Sequence, residues 1–429
     1  MSKETLAILG GKKLGAPVQP PFPIFSKRAV KRVAVNLEKG QVLGLGLSSP
    51  EIKEAEQAIS KFHGGLHAMG TASGHGALQS SLAGLEIGPG DEVITTPYTW
   101  GASISCILHQ NAIPIFADVK KDTGLLDADT IEALITSRTK AILVVHIYGQ
   151  PADMTKIMKV ARKHNLVVIE DGSQAHGATW RGKPVGNFGD AAGFSCMGGK
   201  LLATIEAGYM VTPHEEVIWR GGMIGQHMGR LQDRTCVDEL KPFTDSLVYT
   251  HRMNAITAIL LSEQFKKLPR ELEGRRKNMA LLTTYLKDAL YVKFPKYSKY
   301  ANPAYHITTC NFDFKAAGIR RETFEKALSI EGFGIGHYVP SPIHTWKRIN
   351  WQGYKGPKTA WLDNLKRAKV DYRKVEAPNC QYKIDHALEF AFNYYKPDQK
   401  AMQRLADIVY KVEANMDALR GYEKNISQQ

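Results

Sequence analysis

From residue 50 to residue 212 the chain alternates amphipathic stretches of helical length with short apolar runs, and that alternation leaves few folds open. Helix-like spacing marks Glu51–Phe62, with Ile52, Ala55, Ala58, Ile59 and Phe62 on one face, and then Gly74–Leu85, Ala102–Gln110, Ala128–Ile135 and Met154–Lys163. The runs Val93–Thr96, Pro114–Ala117, Ala141–Ile147, Leu166–Ile169, Ala191–Cys196 and Gly208–Thr212 read as buried strands. Helices of about ten residues between apolar strands imply βα units around a mainly parallel sheet. Such a sheet gathers its chemistry at the strand C-termini.

The flanks differ. Residues 1–50 are rich in Gly and Pro and predict an arm over the main domain, with a short helix from Lys27 to Lys39. A helix is expected over Met253–Leu268, stopped by Pro269, and a longer basic one from Arg270 to about Leu290. Beyond it the alternation breaks into strand-like Tyr291–Phe294 and His306–Phe314, helix Glu322–Ile330 and a final helix Asp398–Leu419. Asn350–Arg373 lacks periodicity and reads as an insertion or surface loop. The division expected is an arm and loop at 1–50, a large α/β domain at 51–270 and a smaller α+β domain at 271–429.

Within the alternation, one stretch carries chemistry. Leu166–Ile169 ends in Glu170-Asp171, with Gln174 and His176 close behind, and Ala191–Cys196 delivers Ser195 and then Lys200 among glycines. An acid at one strand end and a lysine after the next strand suit pyridoxal phosphate (PLP): the amine holds the aldehyde as a Schiff base, and the carboxylate keeps the pyridine nitrogen protonated. Taken alone, Lys200 is one basic residue among many. It is no Walker A lysine, because Phe194 stands where the first glycine belongs and Leu201 replaces Ser/Thr.

Seven pieces in order, LAILGGKKLG, GPGDEVITTPYTWGAS, VVHIYGQPADM, IEDGSQAHGA, FSCMGGKLL, HRMNAI and HYVPSPIH, resemble the DegT/DnrJ/EryC1/StrS family of PLP-dependent aminotransferases acting on keto-sugars, keto-cyclitols and related rings. The resemblance implies the fold type I (aspartate aminotransferase-like) architecture, α/β with a smaller C-terminal α+β domain. It implies PLP as cofactor, passing through pyridoxamine phosphate. It makes Lys200 the Schiff-base lysine and Asp171 the partner of the pyridine nitrogen, whose plain alternative is a helix N-cap. It puts Gln174 near the ring hydroxyl and Trp100 stacked on the ring, where a core tryptophan is the plain alternative.

The cofactor phosphate is expected at the helix start Ser73-Gly74-His75, with Ser195 donating from the other side. Three departures from the family stand out: His75 for a small hydroxyl residue, Thr250 for an asparagine that reaches the neighbouring subunit's phosphate, and Ile205-Glu206-Ala207 where an acid between glycines is usual. Arg252 fits the pattern, or simply pairs structurally. His337, Tyr338 and His344 match a region close to substrate, and His176 is a structural residue or a substrate contact. Glutamate or glutamine as donor, a homodimer with shared sites and an N-terminal loop (Gln41–Ser49) near the site are likewise implied by the resemblance.

Composition bounds the alternatives. The formal charge of +14 invites a nucleic-acid reading, but the clusters at 27–32, 266–277 and 366–374 lie on helix-like segments with intervening acids, so solvated helix faces explain them more simply. An anionic substrate lies between those readings. Five scattered cysteines without CxxC spacing read as reduced thiols, and no metal site is expected. No run approaches the ~20 apolar residues of a membrane helix, and the N-terminus lacks a signal pattern, so cytoplasm is the expectation. A same-fold dehydratase, which carries histidine in place of the lysine, is opposed by Lys200. A PLP-binding regulator without turnover stands as the alternative from another class.

Overall fold

A computed structural model of the protein describes residues 4–42, 49–234 and 238–427. Its centre is a seven-stranded sheet in the order 67–71, 208–212, 191–195, 167–171, 139–145, 92–95, 113–116. Every neighbouring pair is parallel except those made by Gly208–Thr212, which runs antiparallel to both its neighbours. The apolar runs are buried on both faces, as helix-covered parallel strands require: Ile142, Leu143, Val144, Val168 and Ile169 are all fully buried. His67–Thr71, an edge strand, carries too little apolar pattern to be read from sequence.

Helix Gly74–Gly84 packs on the strands at 191–195 and 208–212. Its start is capped by Ser73, whose Oγ accepts the Gly76 N–H at 3.1 Å. Close approach here depends on two glycines. A Cβ on Gly74 would meet the Ser195 Cβ at 2.5 Å, and one on Gly208 would meet the Ser73 backbone at 2.3 Å.

A second, antiparallel sheet of Val292–Lys293, Ile307–Phe312 and Ala387–Ala391 packs with helices Leu268–Tyr285, Arg321–Glu331 and Gln399–Ala414 around its own apolar cluster. Residues 6–14 do not lie over the main sheet as expected. Leu6 is buried in this second cluster, and the N–H groups of Ala7 and Leu14 donate to the Glu331 carboxylate at 2.8 and 2.9 Å. Helix Lys27–Glu38 packs on helix Ala255–Phe265 through Arg28 and Arg32, each 3.2 Å from Glu263. The expectation for Gln41–Ser49 falls mainly on residues 43–48, which lie outside the described residues.

Four other expectations need correcting. Ala128–Ile135 forms two 3-10 turns, Ala128–Thr130 and Glu132–Leu134, because Asp127 caps the first and the chain kinks before a full helical turn closes. Pro269 opens helix Leu268–Tyr285 in its first turn, where its missing N–H costs nothing, rather than ending the helix before it. The final helix breaks at Asn415, whose side chain donates to Glu4 O and Lys411 O.

Asn350–Arg373 is no loose loop. It holds helix Ala360–Arg367, and Trp361, Leu365 and Tyr372 are buried in one cluster with Ile104 and Leu108 of helix Ala102–His109 and Phe116 of the main sheet's edge strand. Trp361→Ala is therefore expected to lower unfolding free energy by roughly 3–5 kcal/mol, read from urea unfolding. A change under about 0.5 kcal/mol, as at surface positions, would mean that the segment does not pack as described.

Candidate active site

The C-terminal ends of strands 92–95, 139–145, 167–171 and 191–195 converge on a cavity of about 330 Å³, at the small end of the ~300–1,000 Å³ usual for ligand sites. Eight residues singled out in the sequence line it together: Ser73, Gly74, His75, Trp100, Asp171, Gln174, Ser195 and Lys200. Tyr338 lines it too.

Asp171 closes its strand and is 5% exposed. Its Oδ2 accepts the Ser103 hydroxyl at 2.6 Å and its Oδ1 accepts the Ser173 N–H at 3.0 Å. Ser103 sits in the first turn of helix Ala102–His109, with its Oγ also 2.9 Å from Thr99 Oγ1. Two donors fix the carboxyl, and no cationic side chain is in ion-pair contact with it among the described residues, leaving a place that a cationic ligand would fill. Beside it, Glu170 is wholly buried and accepts from the Gly186, Phe188 and Gly189 N–H groups and from His146 Nε2 at 3.1 Å. Those donors hold its carboxyl below the ordinary range against the opposing effect of burial. The His146 tautomer follows, since its Nδ1 accepts the Ala152 N–H at 3.0 Å.

Lys200 follows Ala191–Ser195 in a glycine turn and is 8% exposed. Its ammonium makes no ion pair among the described residues. Burial pushes its pKa down, only partly opposed by the charges of Asp171, Cys196 and Glu206. A desolvated primary amine of this kind is readily neutral and nucleophilic.

The start of helix Gly74–Gly84 points free N–H groups at the cavity, the electrostatic setting for an anion. His75 turns its ring against His109, with centroids 4.9 Å apart, and burial, reinforced by the His109 and His251 charges, depresses it to about 4. Its Nε2 is buried without a partner among the described residues. Trp100 is 57% exposed at the mouth, its ring 5.6 Å from that of Tyr338. Gln174 is held at both ends: Oε1 accepts the Tyr148 N–H at 2.6 Å and Nε2 donates to the Tyr338 hydroxyl at 2.7 Å.

Glu206, from the Ile205-Glu206-Ala207 departure, lines the cavity as well, whereas His176, His337, His344, Arg252 and Thr250 do not. His176 is fully buried behind it, with Nε2 3.9 Å from Cys196 Sγ and its pKa depressed by burial to about 3. His337 turns to Glu325 at 2.8 Å, and His344 is buried with its ring centroid 6.0 Å from Phe116. Arg252 forms an isolated antiparallel bridge with Thr71, and Thr250 is exposed two residues before it. Sequence reasoning missed Ser103, His146 and His306, all of which line the cavity. Ser103 lay within a quoted motif, three residues after Trp100, at a helix start where an inward hydroxyl is readable. Nothing local marked His306. Among the described residues, no group of three or more His, Cys, Asp or Glu is placed to hold a metal ion.

Known proteins share this architecture. The sequence signature of the DegT/DnrJ/EryC1/StrS aminotransferase family matches residues 25–364. A pleiotropic regulatory protein of Geobacillus stearothermophilus is 33% identical over 345 residues, 79% of this chain and 89% of the relative. The L-glutamine:2-deoxy-scyllo-inosose aminotransferase of Streptomyces lividus is 34% identical over 296 residues, 67% of this chain and 70% of the relative. The X-ray structure of the aminotransferase from Psychrobacter cryohalolentis superposes with a TM-score of 0.80 at 25% identity, covering 93% of this chain and 100% of that one.

Proposed function

We propose, from the premise that the chain belongs to the DegT/DnrJ/EryC1/StrS aminotransferase family, that its cavity moves an amino group from glutamine or glutamate to a cyclic ketone, a keto-cyclitol or keto-sugar. The observation that supports this most is one cavity shared by a desolvated, unpaired lysine, a serine-anchored buried carboxylate and an open helix N-terminus. That donor set matches PLP group by group: an aldehyde for the amine, a pyridine nitrogen for the carboxylate and a phosphate for the helix start. When bound, PLP supplies an electron sink for a carbanion.

The protein's own residues do the rest. Lys200 would hold the cofactor's aldehyde, and its amine is the group that would carry a proton to and from the donor Cα. Asp171 would hold a proton on the ring nitrogen, with Ser103 keeping the carboxylate aimed. Ser73, Gly74, His75 and Ser195 would hold the phosphate, the first three at the start of their helix. Trp100 would stack on the ring, and the Gln174 amide would donate to the ring oxygen. A homodimer in which Thr250 reaches the partner's phosphate fits the exposure of that residue. Glutamine as donor and a cyclitol ketone as acceptor are favoured by the Streptomyces relative's activity.

The relative named as a regulatory protein favours a second reading, a PLP-binding regulator without turnover. One experiment separates the two. Purified protein with added PLP is expected to show a visible band that passes to the pyridoxamine form on adding glutamine or glutamate, and to return when a keto-cyclitol or keto-sugar is supplied. A band that no amino donor moves would favour the regulator.

A further inference from the structure

The cavity owes part of its shape to a carboxylate that does not line it. Glu389, 3% exposed, lies on strand Ala387–Ala391 of the second sheet. It makes no ion pair among the described residues, yet it is far from bare. Its Oε1 accepts the Tyr98 hydroxyl at 2.7 Å and also the Tyr148 hydroxyl, and those two hydroxyl oxygens lie 2.8 Å apart. Its Oε2 accepts the backbone N–H of Tyr338. A buried carboxyl held by three donors, with no cation in ion-pair contact among the described residues, is an expensive way to join two sheets, since an apolar residue would join them without burying polar atoms.

Two of those three donors, Tyr148 and Tyr338, share their next contact, Gln174. Tyr148 sits at φ 61° and ψ 5°, a left-handed conformation that a bulky residue keeps only when its surroundings over-determine it. Its hydroxyl is pinned by Glu389, and its N–H meets Gln174 Oε1. Tyr338 is pinned by Glu389 through its backbone, and its hydroxyl takes the Gln174 Nε2 hydrogen. The circuit therefore closes: Glu389, Tyr148, Gln174, Tyr338 and back to Glu389. The backbone N–H of Tyr148 can only donate, so it fixes which end of the Gln174 amide is oxygen. The NH₂ end is left at Tyr338, with its second hydrogen free for a ligand.

We propose that Glu389 is a positioning residue of the amine-transfer site, holding Tyr148 and Tyr338 so that the Gln174 amide presents its NH₂ group to the cofactor's ring oxygen. This rests on the reading of Gln174 given under Proposed function. Losing a correctly aimed donor lets the ring oxygen hold the neighbouring proton more tightly, so the visible band should titrate at higher pH.

The test is a double-mutant cycle on the PLP-loaded protein with Glu389→Gln, Gln174→Ala and the pair. Glu389→Gln is expected to raise the pKa of the visible band by about one unit and to lower kcat roughly ten- to hundredfold, with the donor KM changing less than about twofold. In the Gln174→Ala background, Glu389→Gln should move neither quantity, because the group it orients is gone. An unchanged band and kcat in Glu389→Gln overturn the proposal. So does an equal shift in the Gln174→Ala background, which would make Glu389 a purely structural tie. If Glu389→Gln melts below the working temperature, Tyr148→Phe cuts the same circuit and enters the cycle in its place, read in the same way. Native protein that takes up no PLP overturns the underlying assignment of the site, and this inference with it; that result is separate from a native band that Glu389→Gln leaves alone.

Discussion

Lys200→Ala protein is expected to lose covalent capture of PLP and to turn over roughly 10³- to 10⁴-fold more slowly than the native enzyme. On the proposed reading two functions fall together, because the amine that would tether the aldehyde is also the one that would move the donor proton. Its burial makes both possible: the side chain is 8% exposed, and desolvation pushes its pKa below the ordinary lysine value. Capture should accordingly rise with pH and level off below the ~10.4 of a free lysine. The sign for stability is the reverse of an ion-paired lysine. The unfolded chain binds the proton more tightly than the folded one, so stability rises with pH between the depressed value and ~10.4. Lys200→Ala flattens that rise, an effect open to urea unfolding at several pH values. Borohydride reduction followed by denaturation and peptide mapping checks the main claim. The native protein should keep the pyridoxyl group on the peptide containing residue 200, and a reduced adduct retained by Lys200→Ala protein would move the tether elsewhere.

The parts of this site legible in the sequence are those whose chemistry lies at the end of an apolar run. Asp171 and Ser195 are the last residues of their strands and Lys200 follows in the next turn, so the strand pattern itself located them. Parallel strands buried on both faces write themselves as continuous apolar runs. His67–Thr71 does not, because HAMGT offers only Ala68 and Met69 for a core. Trp361 and Leu365, four residues apart on one helix face, were readable in principle but are embedded among lysines and polar residues. His337, Tyr338 and His344 came as a block on motif grounds. The structure splits that block: Tyr338, at a bend, lines the cavity while His337 turns to Glu325. Contacts of long range left no local trace. Ser103 reaches Asp171 across 68 positions and Tyr98 reaches Glu389 across 291, and nothing in either segment names its partner.

Asp171→Asn should separate two properties that Lys200→Ala removes together. Asparagine has nearly the shape of aspartate, and Lys200 is untouched, so PLP should still be captured and the protein should still be coloured. Turnover should fall roughly 10²- to 10³-fold, the usual cost of removing one preorganised electrostatic partner. The reason is that a neutral amide cannot hold a proton on the ring nitrogen, and without that charge the ring draws electrons poorly. The structure adds a second cost. Ser103 Oγ and the Ser173 N–H both donate to this carboxylate, and an asparagine NH₂ would set a donor against one of them. A buried unmet donor costs about 1–3 kcal/mol, so a modestly lower melting temperature should accompany the kinetic loss. Ser103→Ala tests the linkage: in the native background it frees the carboxylate to turn and lowers turnover, while added to Asp171→Asn it should do little more. Asp171→Asn protein that keeps turnover within about threefold of native would remove the carboxylate from the chemistry and leave it a strand-end cap.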